Sequence, residues 1–68
     1  MKETYYVRRS EFHRPSLDIN NLITRMSTPK KMDAFKNASD SAINHPGYHY
    51  YVFKGEQMLG WFYTEEEN

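Results

Sequence analysis

The fold of this chain is decided by the stretch Tyr48-His49-Tyr50-Tyr51-Val52-Phe53-Lys54-Gly55-Glu56-Gln57-Met58-Leu59-Gly60-Trp61-Phe62-Tyr63. Two runs of strand-forming residues, 48–53 and 58–64, flank a polar segment with a glycine, a pattern typical of a β-hairpin. A two-residue turn led by Gly55 predicts a register that pairs Val52 with Leu59 and that puts Tyr50 and Trp61 on the same face. The opposite face of the hairpin would then carry His49, Tyr51, Phe53, Met58, Gly60 and Phe62.

A helix is predicted immediately before the hairpin, over residues 29–44. Thr28 can cap it, Pro29 suits its first turn, and the segment Asn44-His45-Pro46-Gly47 ends it. Its apolar residues have the spacing of one helix face. They are Met32, Phe35, Ala38, Ala42 and Ile43.

Two further elements are predicted nearer the N-terminus. Residues 3–12 are rich in strand formers and indicate a strand with Tyr5 and Val7 toward the core. Residues 18–26 indicate a shorter helix, because their apolar residues recur at helical spacing, and an extended connection is the alternative there. Those apolar residues are Ile19, Leu22, Ile23 and Met26. Residues 65–68 form an acidic tail.

These elements predict one small α+β domain over residues 1–68, in the order β-α-α-β-β. The first strand would pair with the hairpin in a three-stranded, mostly antiparallel sheet, since a lone hairpin is marginal in water. The helices would pack mainly on one face of this sheet. Because both faces of the hairpin are apolar, the second face either binds a partner or is covered by the first helix.

Composition restricts the chemistry and the cellular context. The chain has no cysteine, which excludes disulfide scaffolds and cysteine-based zinc sites. Met1 leads directly into Lys2 without an apolar leader, and no apolar run approaches the roughly 20 residues of a membrane span. We therefore expect a cytoplasmic protein that does not associate with membranes. The net charge is zero, but residues 1–36 carry eight basic and four acidic residues, whereas residues 37–68 carry one and five.

Histidine supplies the candidates for metal ligation or for proton transfer near neutral pH. The spacing of His13, His45 and His49 matches no metal-binding signature. No phosphate-binding glycine loop or nucleophile motif occurs either. We expect no metal, no cofactor and no catalytic residue, and hence a protein that is not an enzyme.

The unpartnered apolar face predicts a protein-binding module, since Tyr, Trp, Met and Arg are enriched at the centres of interfaces. The predicted contact residues are Tyr51, Phe53, Met58, Phe62 and His49. The partner would be another protein or a second copy of this chain, bound through this face or through a strand edge. The small size suggests a phage-like or mobile-element inhibitor or regulator of a host protein.

Two alternative functions use overlapping residues. Sheet aromatics could stack single-stranded nucleic acid while Arg8, Arg9 and Arg14 bind phosphates, although the zero net charge and the acidic tail disfavour this. A small toxin-like ribonuclease would use His49 as its base, with Arg8 or Arg9 holding the phosphate.

Overall fold

A computed structural model describes residues 3–10 and 21–66 of the chain. Within these ranges the elements are β1 (Tyr5–Arg9), β2 (Ile23–Thr28), α1 (Lys31–Asn44), β3 (His49–Lys54) and β4 (Gln57–Tyr63). The four strands form one antiparallel sheet in the order β2-β1-β3-β4. The α+β class is confirmed, and the described part of the sheet has one more strand than predicted.

The additional strand, β2, replaces much of the helix predicted over residues 18–26. That prediction is wrong from Ile23 onward, where the chain pairs with β1 and Met26 lies opposite Val7. Ile23, Thr24 and Thr28 are β-branched and lose little by adopting an extended backbone. The rest of the predicted helix lies outside the described residues, apart from Asn21 and Leu22.

The strand predicted over residues 3–12 is observed as β1, and its last two predicted residues lie outside the described ranges. Its predicted orientation is confirmed, since Val7 is fully buried and Tyr5 packs against the core. Pairing continues one residue beyond β1. There the Ser10 amide donates to the His49 carbonyl (2.9 Å), and the His49 amide donates to Ser10 Oγ (3.1 Å).

Helix α1 lies on one face of the sheet, as the topology requires. Strands β2 and β3 are both antiparallel to β1, so α1 has to carry the chain across β1 to join them. The helix begins at Lys31, two residues later than predicted, and its N-cap is Lys30 rather than Thr28, without a side-chain capping bond. Pro29 therefore precedes the helix, and Thr28 Oγ1 accepts a hydrogen bond from the Lys30 amide (3.2 Å). It ends at Asn44, as predicted.

The buried stripe of α1 consists of small residues. Ala34, Ala38 and Ala42 pack against Val7, Tyr50 and Val52 of the sheet. The prediction is wrong for Met32 and Ile43, whose side chains are 77% and 63% exposed. Alanines at every fourth position let the helix approach the sheet closely. Among the larger predicted members of the stripe, Phe35 packs against the core, whereas Met32 and Ile43 point outward.

The hairpin formed by β3 and β4 has the predicted turn but a different register. Gly55 has φ of +60°, which a turn led by glycine needs, and Lys54 pairs with Gln57. Leu59 is then an extra residue in β4, between the pairs Phe53–Met58 and Val52–Gly60. This β-bulge shifts every later residue of β4 by one position.

Candidate functional site

The sheet has one face toward α1 and one face away from it, which we call the outer face. Alternation along the strands puts Tyr6 and Arg8 of β1 on the outer face, because Val7 is in the core. Strands β3 and β4 supply the other outer-face residues. These are His49, Tyr51, Phe53, Met58, Trp61 and Tyr63.

Aromatic rings pack side by side across the outer face. The closest pair is His49 and Tyr63, whose rings are stacked with centroids 4.1 Å apart. Tyr51 and Trp61 lie next to the same imidazole, at centroid distances of 6.4 and 6.1 Å. Tyr51 also neighbours Phe53, at 6.4 Å. Each ring is therefore held by its neighbours, which fixes the shape of this surface.

Arg8 extends the aromatic row toward β2. Its guanidinium lies 4.6 Å from the ring centre of Tyr6 and 4.7 Å from that of Phe53. Arg8 Nε donates to Thr24 Oγ1 (3.3 Å), and Nη1 donates to the Gly55 carbonyl (3.1 Å). The side chain thus ties β2 and the β3–β4 turn to the centre of the sheet.

Exposure changes sharply from β3 to β4. Tyr51 and Phe53 in β3 are only 4% and 3% exposed, whereas Trp61 in β4 is 56% exposed. Met58 and Tyr63, on the same face of β4, are 38% and 37% exposed. We call Met58, Trp61 and Tyr63 the β4 patch. It is a large apolar surface on the last strand of the described sheet, next to a buried aromatic layer.

Four of the five residues predicted to bind protein lie on the outer face: His49, Tyr51, Phe53 and Met58. Two of these predictions are wrong as contact residues, because Tyr51 and Phe53 are buried. The fifth, Phe62, was assigned to the wrong face. It packs on the helix side, edge-to-face against Phe35 with ring centroids 6.1 Å apart. Trp61 and Tyr63 also lie on the outer face. The predicted register does not put them there, because it contains no bulge at Leu59.

Comparisons of the chain with protein-family models, with curated proteins and with solved structures find no match.

Arg8 and Arg9, two of the three arginines predicted to bind phosphate, lie on opposite faces of the sheet. Arg8 is on the outer face, whereas Arg9 follows it in β1 and lies over the Tyr48 ring on the helix side, 4.4 Å from its centre. Arg14 lies outside the described residues. A single phosphate approaching the outer face would meet Arg8 without Arg9.

The two described histidines, His45 and His49, belong to no group of three potential metal ligands within the described residues. His45 follows the end of α1, His49 is stacked in the outer face, and His13 lies outside the described residues. Within residues 3–10 and 21–66, no group of three potential metal ligands comes together, and no helix has the length and apolar character needed to cross a membrane.

A small polar network lies at one end of the sheet, where β1 meets the end of β3. Lys54 Nζ lies 2.7 Å from Glu3 Oε1, and the Tyr5 hydroxyl donates to Glu3 Oε2 (3.0 Å). The bond from Lys54, followed by that from Tyr5, lowers the pKa of the Glu3 carboxyl. The same contacts with Glu3 raise the pKa of Lys54 and that of the Tyr5 hydroxyl.

Proposed function

We propose that this protein is a non-enzymatic protein-binding module whose contact surface is the β4 patch, with His49 beside it. The observation that carries the proposal is the 56% exposure of Trp61 on an edge strand of the described sheet, between two other exposed apolar side chains. Exposed apolar surface on an edge strand favours aggregation, so proteins usually avoid it. Its presence here is accounted for if a partner covers it.

The chemistry of the patch supports a protein partner. Trp and Tyr are the residues that most often dominate binding energy at interfaces, and Met adapts its shape to the opposing surface. Stacking of Tyr63 on His49 restricts its ring before binding, so less conformational entropy is lost when a partner arrives. Binding would regulate or inhibit a larger protein by occupying part of its surface.

The two other functions receive less support. A nucleic-acid binder would use several cations on one face, yet Arg9 lies on the helix side and Arg8 already donates to Thr24 and Gly55. A ribonuclease would need a base that can reach its substrate, whereas the His49 ring is stacked on Tyr63 and its Nδ1 is shielded from solvent.

The proposal can be tested by site-specific photocrosslinking in cells that produce the protein. A photoreactive phenylalanine analogue replaces Trp61 in one variant and Met32 in a control variant, since Met32 is an exposed apolar residue on the helix. We expect a crosslinked protein from position 61 and none from position 32.

A parallel capture experiment uses the double variant Trp61→Ser, Tyr63→Ser and the control Met32→Ser, with circular dichroism to verify folding. We expect the protein identified by crosslinking to be captured with the control and not with the double variant. Equal recovery by both variants, or no crosslink at position 61, would overturn the proposal. A crosslink to nucleic acid at position 61 would instead support the function of a single-stranded nucleic-acid binder.

A further inference from the structure

We infer that β4 binds its partner by β-addition, and that the partner supplies an extended apolar segment flanked by Lys or Arg. The inference rests on the proposed function and specifies its binding mode and partner chemistry. In the described sheet β4 is hydrogen-bonded on one side, to β3. Alternate backbone N–H and C=O groups of an edge strand point away from the sheet, where an extended peptide can pair with them.

The composition of β4 suits an added strand. Residues 57–63 contain no charged side chain, whereas β2, the other edge of the described sheet, carries Arg25. A charged side chain on an edge strand discourages pairing with another chain. β4 has no such charge on either side of its bulge at Leu59, where a partner segment can pair with it. Apolar side chains of that segment would pack against Trp61 on the outer face.

The charges at the two ends of β4 indicate which segment fits. Glu56 precedes the strand and Glu65 follows it, and both are exposed. The cations nearest the Glu56 end already have partners, since Lys54 is paired with Glu3 and Arg8 donates to the Gly55 carbonyl. Basic residues flanking the added segment would lie near these carboxylates. A second copy paired antiparallel through β4 would instead bring the Glu56 end of one strand to the Glu65 end of the other. Like charges would then face each other at both ends, which disfavours a symmetric dimer.

The test is a selection from a displayed library of random twelve-residue peptides. The folded full-length chain is the target, and peptides that also bind the Trp61→Ser variant are discarded. We expect the selected peptides to alternate apolar and polar residues over about five to seven positions. We also expect Lys or Arg on both sides of the apolar run. NMR should detect cross-strand contacts between each bound peptide and the β4 backbone.

Two matched variants test the charge requirement. Glu56→Gln with Glu65→Gln removes two negative charges at β4, and Asp33→Asn with Asp40→Asn removes two from the helix. We expect the first pair to weaken binding of the selected peptides about threefold to tenfold at low salt, because exposed ion pairs are weak. The second pair should leave binding unchanged.

A proline at the centre of a selected peptide should abolish its binding, since proline removes a backbone donor. Peptides that depend on Trp61 but tolerate this proline, or that lack basic flanks, would overturn the inference and leave the proposed function standing. Selection of no Trp61-dependent peptide would also overturn the inference. The proposed function would then be judged by the crosslink at position 61, which does not require an extended partner.

Discussion

Leu59 occupies the bulge in β4, between the cross-strand pairs Phe53–Met58 and Val52–Gly60. Without the bulge, each residue after Leu59 would point to the face opposite the one it occupies, and Trp61 would be directed toward α1. The bulge also puts Gly60 beneath the Phe35 ring. A β-carbon at Gly60 would lie 3.0 Å from Phe35 Cε1, so the ring and the strand approach this closely because the residue is glycine. Single residues thus determine which side chains of β4 remain available to a partner.

The contacts of Glu3 with Lys54 and Tyr5 predict how the pKa of the Glu3 carboxyl responds to mutation. We expect the Glu3 carboxyl to titrate below its ordinary range in the native protein, and closer to that range in Lys54→Gln, since Lys54 is the main cause of the lowered pKa. A lowered native pKa stabilises the fold above the unfolded pKa of Glu3. That stabilisation is lost as the pH falls through the native value.

The measurement is an NMR titration of the Glu3 carboxyl carbon in both proteins. Tyr5→Phe serves as an intermediate case, because it removes the second hydrogen bond and retains the lysine. An identical titration midpoint in the native protein and in Lys54→Gln would show that the pair does not form in solution.

The elements differ in how far the sequence predicts them. Helix 29–44 and the hairpin carry strong local signals, namely a helical stripe bounded by Pro29 and Gly47 and two aromatic runs around Gly55. They were found within two residues at each end. The spacing of apolar residues over 18–26 also fitted a helix, but from Ile23 pairing with β1 outweighs it. That pairing involves residues far apart in the chain, which a short window of sequence does not contain.

The same limit applies to the candidate site. Alternation alone placed His49, Tyr51, Phe53 and Met58 on one face, because the register is regular from the turn as far as Met58. The bulge at Leu59 has no distinct sequence signal, since leucine fits a regular strand equally well. The sequence therefore predicts Phe62 on the outer face, where the structure has Trp61 and Tyr63 instead.

The packing of α1 can be tested with a single larger side chain. We expect Ala38→Leu to destabilise the fold by about 1–3 kcal/mol, because added methylene groups in a tightly packed core displace their neighbours. Ala38 is fully buried against the sheet, so the helix would have to move away from it. Urea unfolding followed by circular dichroism gives the free energy of unfolding.

Met32→Leu is the matched control, since it puts the same leucine on the exposed side of α1. Its free energy of unfolding should change by no more than about 0.5 kcal/mol. Equal stability of Ala38→Leu and the native protein would mean that α1 does not pack through its alanines.

At the scale of the whole molecule, charge is distributed unevenly across the sheet. Strands β1 and β2 carry Arg8, Arg9 and Arg25, whereas β4 is uncharged and is flanked by Glu56 and Glu65. The asymmetry between the two halves of the sequence therefore becomes a difference in charge between the β2–β1 side and the β4 side of the described sheet. Charged molecules should interact differently with the two sides.

The exposed apolar edge predicts a solubility effect. We expect Trp61→Lys to raise the protein concentration at which aggregation begins, because a lysine on an edge strand opposes pairing with other chains. The free energy of unfolding should fall by about 1 kcal/mol, because the part of the indole that is not exposed packs beside the His49 ring. Static light scattering over a concentration series, compared with Met32→Lys, measures the effect. An equal gain from Met32→Lys would show that added charge alone is responsible.

The central position of β1 has a consequence for how the protein is made. Val7 pairs with Met26 on one side and with Val52, 45 residues later in the chain, on the other. During synthesis on the ribosome β2 becomes available before β3, so β1 can pair with β2 first and with β3 only later. Until β3 is in place, one side of β1 is open to chaperones and to other nascent chains.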